Sequence, residues 1–105
     1  MILIADSGST KTDWVLHDGN GIVFRTGTQG LNPTQQSAED IYKVISTELD
    51  GKIAPDAPTT IFFYGAGCAY EIADNRMKKA LEQYFVTRDI HIHSDLLAAA
   101  RALCG

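Results

Sequence analysis

Hydrophobic positions along this chain alternate between two periods, and the alternation divides it into eight elements. Residues 1–6 are apolar on both sides of the pleat, as a central strand covered on both faces should be. A second strand is predicted over 12–17 and a third over 22–28, joined by Asp18-Gly19-Asn20-Gly21, a strong hairpin signal. Gly30-Leu31-Asn32-Pro33-Thr34 reads as a loop, because Pro33 biases Asn32 away from helical geometry. Ala38, Ile41, Val44, Ile45 and Leu49 then recur at helical spacing and predict a helix over 36–50. Ser37 and Asp40 are set to cap it and Gly51 to end it.

The β-prone run Thr59 to Tyr64 predicts a buried strand ending in Gly65-Ala66-Gly67. A second helix is expected over 74–85, capped by Asp74, with Met77, Ala80, Leu81, Tyr84 and Phe85 on one face. Ile90-His91-Ile92-His93 alternates as a short strand, so both histidines share one face of it. The last helix starts near Asp95 and is apolar almost all round through Leu103, which predicts burial. Trp14, Phe62, Phe63 and Tyr64 are expected in the core. The order β-β-β-α-β-α-β-α gives an α/β domain with a five-stranded mixed sheet, hairpins antiparallel and later strands parallel to the first, and helices on its faces.

That topology gathers the ends of the first, fourth and fifth strands on one rim, where open α/β sheets bind ligands. The first of these ends is Asp6-Ser7-Gly8-Ser9-Thr10-Lys11-Thr12. Its glycine, hydroxyls, lysine and successive backbone N–H groups suit an anion such as a nucleotide's terminal phosphates, and Asp6 suits a divalent cation. The same residues would also make an ordinary hairpin. Lys11 fits either phosphate neutralisation or a solvated tip, and Asp13 fits the hairpin itself. Asp95 fits either a helix cap or a general base, and Asn32 either a turn former or a polar contact. Cys68 either lines the cleft or sits buried as a small apolar group. His91 and His93 lack a nearby third ligand for a metal.

The chain has 105 residues, 45% of them hydrophobic and 21% charged, with a net charge of -4. These values describe one globular domain and argue against a nucleic-acid or anionic-membrane partner. No apolar run reaches membrane-spanning length. Met1 opens directly into a strand, leaving no room for a targeting peptide. Cys68 and Cys104 form no metal or redox spacing, which points to a reduced, cytoplasmic setting.

Four stretches in this order resemble the N-terminal lobe of the actin-like ATPase and sugar-kinase superfamily, with its ribonuclease-H-like fold. They are Ile4 to Thr12, Gly30-Leu31-Asn32-Pro33, Tyr64-Gly65-Ala66-Gly67, and His93-Ser94-Asp95-Leu96-Leu97-Ala98-Ala99-Ala100. Within it the chain is most similar to the N-acetylglucosamine kinase branch, grouped with the BadF/BadG/BcrA/BcrD ATPases. The resemblance implies ATP-dependent phosphoryl transfer to an amino-sugar hydroxyl. It makes Ser7, Gly8, Ser9, Thr10, Lys11 and Thr12 the phosphate turn and Asp6 the anchor for hydrated Mg2+. Asn32, Gly65, Gly67 and Asp95 become substrate contacts, and Asp95 the catalytic base. The partners implied are a small-molecule sugar, a nucleotide and a C-terminal lobe, with a homodimer left open. On this view residues 1–105 are the N-terminal lobe of a protein about two to three times longer, inactive alone. Two other functions are compatible with the opening motif. One is a dehydratase-activating ATPase of the BadF type, whose cluster-binding cysteines have no match here. The other is a nucleotide-dependent regulatory module without a phosphoacceptor.

Overall fold

The computed structural model describes residues 1–8, 10–65 and 71–93. Seven elements follow one another: β1 (Ile2–Ser7), β2 (Lys11–His17), β3 (Ile22–Gln29), α1 (Ala38–Glu48), β4 (Thr60–Gly65), α2 (Glu71–Tyr84) and β5 (Ile90–His93). The sheet is mixed, in the order β3-β2-β1-β4-β5. β1 pairs antiparallel with β2, and β2 with β3, whereas β1, β4 and β5 run parallel. The α/β class, the five strands and their directions are those expected. The last predicted helix, from Asp95 onward, lies outside the described residues.

Local chemistry sets the element ends. Asp18 Oδ1 accepts the N–H groups of Asn20 and Gly21 at 2.8 and 3.0 Å, and Gly19 takes φ +97°, closing the β2–β3 turn. The two hydrogen bonds hold the Asp18 carboxyl below its usual range. Ser37 and Asp40 form the predicted capping box at the start of α1. Leu49 caps its far end, and Gly51 follows at φ +74°, in the left-handed region that favours glycine.

α2 starts earlier than expected. It opens at Glu71, so Asp74 lies inside its first turn rather than capping it. Ile72 and Ala73 continue a helix readily once Glu71 has begun it, and an acidic first turn suits the helix dipole.

Both described helices cover the same side of the sheet. Leu3, Ala5, Trp14, Leu16, Ile61, Phe63 and Ile90 meet Ile41, Ile45 and Leu49 of α1 and Met77, Ala80 and Leu81 of α2. Each such fully buried aliphatic side chain is worth about 1.5–3 kcal/mol relative to exposure. Trp14 keeps its polar edge satisfied by donating from Nε1 to Thr28 Oγ1 at 2.9 Å. On the opposite side Ile4 and Tyr64 form a small separate cluster with Phe62 packed against it. The four aromatics therefore divide between the two faces. No described helix is long and apolar enough to cross a membrane.

Gly65 shows why a glycine ends β4. A Cβ there would stand 2.9 Å from Phe63 Cε1 and 3.4 Å from Ser7 Cβ. The Phe63 ring is fully buried and cannot move aside. Gly65→Ala is therefore expected to destabilise the fold by about 1–3 kcal/mol, read as a lower midpoint in urea denaturation at unchanged slope.

Candidate functional site

Parallel pairing brings the carboxyl ends of β1, β4 and β5 to one edge of the sheet. The end of β3 arrives at the same edge, because Lys11, the first residue of β2, pairs with Gln29, the last of β3. Gly8, Thr10 and the loop at Gly30–Pro33 thus lie side by side at the end of the sheet. Gly30 N–H donates to Thr10 O at 3.1 Å, which ties the loop directly to the turn.

The strand register sorts the predicted site residues onto two faces. On the face away from the described helices, Asp13, Asp6, Tyr64 and His93 occupy one row across four strands. Asp6 and Asp13 are directly opposed carboxylates. Lys11 Nζ lies 3.8 Å from Asp13 Oδ1 with both groups exposed, so that ion pair is weak. Asp6 has no ion-pair partner among the described residues. His93 stacks on Tyr64 with ring centroids 5.4 Å apart, and His91 stacks on Phe62 at 5.0 Å. His91 Nε2 also lies 2.9 Å from Asp89 Oδ1.

On the helix-covered face the row runs Thr28, Thr12, Ser7, Gly65. Two residues of the expected phosphate turn present no hydroxyl to the surface here. Ser7 and Thr12 are buried, and their hydroxyls are turned inward. Ser7 Oγ donates to Leu31 O at 3.1 Å and accepts Leu31 N–H at 3.0 Å. Thr12 Oγ1 lies 2.8 Å from Ser7 Oγ and 3.1 Å from Gln29 O, its one proton shared between them. The alternation of the strands is the cause: Ser7 follows Leu3 and Ala5, and Thr12 precedes Trp14, all on the buried side. The outward-facing part of the turn is Gly8, Thr10 and Lys11, all exposed. Gly8 N–H donates to Lys11 O at 2.8 Å, closing the turn. Gly8 has no positive φ, and a Cβ on it would make only ordinary contact with Lys11 O at 3.6 Å. Its value is the open surface it leaves, not an unusual backbone conformation.

Asn32 is half-buried and its amide is oriented. Oδ1 accepts both the N–H and the hydroxyl of Thr34, at 3.0 and 2.6 Å. Because a backbone N–H is always a donor, this contact settles which amide atom is oxygen. The two Nδ2 hydrogens have no acceptor among the described residues and remain available. Gln36 Oε1 accepts Asn32 N–H at 2.7 Å, and Arg76 Nη1 donates to Pro33 O at 3.0 Å. Gly65 sits at the same rim beside Ser7. Ser9, Gly67 and Asp95, together with Cys68, lie outside the described residues.

Asp74, which sequence reasoning took for a helix cap, stands out here. Its Oδ1 is buried with no hydrogen-bond partner among the described residues. Burial pushes its carboxyl above the ordinary range, with the charge of His93 opposing. Nothing in the helical spacing distinguishes such a residue from a solvated first-turn carboxylate.

No protein-family model matches the sequence, and no curated protein matches it. Among solved structures the chain is similar to a crystal structure named as the "putative N-acetylglucosamine kinase" of Porphyromonas gingivalis. The two are 38% identical with a TM-score of 0.85, over 100% of this chain and 38% of the other. The chain therefore spans well under half of that protein's length. The five-stranded mixed sheet with its two helices matches the N-terminal lobe of the sugar-kinase, or actin-like ATPase, fold.

Two outcomes follow from the charges at this rim. Like charges directly opposed across an antiparallel pair are destabilising, so Asp6→Asn should raise stability by about 0.2–1 kcal/mol at neutral pH. The gain should shrink with added salt, as measured by denaturant titration at two ionic strengths. For Asp74 the folded-state value is raised from 3.8, so its ionisation costs stability as pH rises beyond that value. Asp74→Asn should therefore melt later than the parent at pH 7, and the difference should vanish near pH 3, where the carboxyl is protonated in both states.

Proposed function

Taking the chain as a match to the N-terminal lobe of an N-acetylglucosamine kinase-like protein, we propose that it supplies half of the site for ATP-dependent phosphoryl transfer to an amino-sugar hydroxyl. The observation that carries this reading is the junction of two subsites: the loop bearing Asn32 is hydrogen-bonded at Gly30 onto Thr10, beside the exposed Gly8 and Lys11. A donor phosphate on the turn and an acceptor sugar at Asn32 would then be neighbours, as a transfer based on positioning requires. Residues 1–105 act in this reading as one lobe, and a second lobe closes the cleft over the nucleotide. The whole-chain similarity at 38% identity supports the family assignment.

Each residue has a stated part. Backbone N–H groups of the turn, the Thr10 hydroxyl and Ser9 hold the terminal phosphates, and Lys11 is placed to neutralise their charge once drawn from its weak pairing with Asp13. Asp6, with Asp13 opposite, offers hard oxygen ligands suited to hydrated Mg2+. When bound there, the ion would neutralise charge on the phosphates. Asn32 directs its two amide hydrogens at oxygen acceptors of the sugar. Gly65 and Gly67 offer the sugar backbone contacts at the end of β4, Gly65 while letting Phe63 and Ser7 close up beneath it. Asp95 accepts the proton of the attacking hydroxyl as its oxygen bonds to the γ phosphorus and the bond to the ADP oxygen breaks. The row from Asp6 to His93 keeps the face away from the described helices polar where the cleft must open.

The test is ADP release by the full-length protein with ATP, Mg2+ and a panel of amino sugars. Release that depends on an N-acylated amino sugar is expected, and nucleotide binding with no sugar-dependent release would instead favour a regulatory module. Asp95→Asn should lower kcat by about 100- to 10,000-fold, the usual contribution of a general base, with sugar binding retained in calorimetry.

A further inference from the structure

The Leu31–Pro33 segment lies beyond the last residue of β3 and yet is clamped from two directions. On the sheet side, Ser7 exchanges two hydrogen bonds with the Leu31 backbone, at 3.1 and 3.0 Å, as a neighbouring strand would. Ser7, Thr12 and Leu31 are 3%, 0% and 2% exposed, so water does not compete for these bonds. A serine hydroxyl has one proton and two lone pairs. All three are accounted for: the proton goes to Leu31 O, and the lone pairs receive Leu31 N–H and Thr12 Oγ1–H. From the helix side, Arg76 of α2 reaches across to Pro33 O at 3.0 Å. Between these posts stands Asn32, its amide turned by Thr34 so that both Nδ2 hydrogens are free among the described residues.

Resting on the reading of Asn32 as the sugar contact, we infer that Ser7 and Arg76 are positioning residues for the acceptor sugar, and that Ser7, although it belongs to the phosphate turn, contributes no hydroxyl to phosphate. A phosphate could recruit the Ser7 proton only by stripping it from Leu31 O. That would leave a buried carbonyl unpaired, a penalty comparable to the whole value of a hydrogen bond. The outward-facing Gly8, Thr10 and Lys11 need no such exchange. The turn thus has two sides with different clients: its exposed edge faces the donor, and its buried edge sets the height of the acceptor loop. Arg76 fixes the same loop laterally. Its planar fork holds a directed bond to Pro33 O, and the ammonium of lysine keeps donors able to serve the same carbonyl.

The experiment is steady-state kinetics of the full-length protein and its Ser7→Ala, Arg76→Ala and Arg76→Lys variants, varying amino sugar and ATP separately. Loss of either post should raise the sugar KM about tenfold, the effect of one modest hydrogen bond, and leave the ATP KM within about twofold. Arg76→Lys should recover most of the Arg76→Ala defect. Arg76 is exposed and its variants should fold, so the proposal stands or falls on them if Ser7→Ala does not. A Ser7→Ala variant that raises the ATP KM and spares the sugar would overturn it, as would an Arg76→Ala variant with no change in either. A parent protein that turns over no amino sugar would overturn the kinase reading itself. An active parent whose variants fail to separate the two KM values would overturn only this inference.

Discussion

Ser7 and Leu31 are 24 positions apart in sequence, and the side chain of one substitutes for backbone pairing with the other. Through that exchange the first strand supports a loop that the sheet itself does not reach. The support is possible because Thr12 lies opposite Ser7 in the β1–β2 register and fills its last lone pair. Gly65, the neighbour on the other side, must remain without a side chain for the row to close up. Buried polar networks are stable only when fully satisfied, and this one is: each hydroxyl has its partners, and the turn and the loop are fixed relative to each other as a result.

The two faces of the sheet divide the labour. One is packed by α1 and α2 around Trp14 and Phe63 and supplies the stability. The other carries opposed carboxylates at Asp6 and Asp13, then Tyr64 and His93, in a single row reaching the rim. Opposed like charges, together with a buried carboxylate oxygen at Asp74, cost free energy in the folded state. Local violations of good packing of this sort gather where ligands are handled, and stability is supplied elsewhere.

Much of this architecture could be read from the residues. An apolar run marked β1, a β-prone run β4 and an alternating one β5, while Asp18-Gly19-Asn20-Gly21 marked the hairpin and Ser37 with Asp40 the start of α1, because each of these signals is local. The rim could be anticipated too, since parallel strands must end on one edge. What was not legible depended on long-range pairing. The inward orientation of Ser7 and Thr12 was available in principle from their alternation with Ala5 and Trp14, but hydroxyls and a glycine in a turn suggest an exposed cradle first. The start of α2 at Glu71 was missed because the glycines at 65 and 67 extend the turn signal. Arg76 gave no sequence signal at all, since its partner is a backbone carbonyl in another loop.

In the proposed function, the exposed edge at Gly8, Thr10 and Lys11 and the Asn32 loop serve two substrates side by side. The most direct test is a crystal structure of the full-length protein with ADP, Mg2+ and an N-acylated amino sugar. The nucleotide's terminal phosphate is expected against Gly8, Thr10 and Lys11, and a sugar oxygen accepting from Asn32 Nδ2, with the Ser7–Leu31 bonds intact. Phosphate bound to the Ser7 hydroxyl, or a sugar seated away from Asn32, would contradict it.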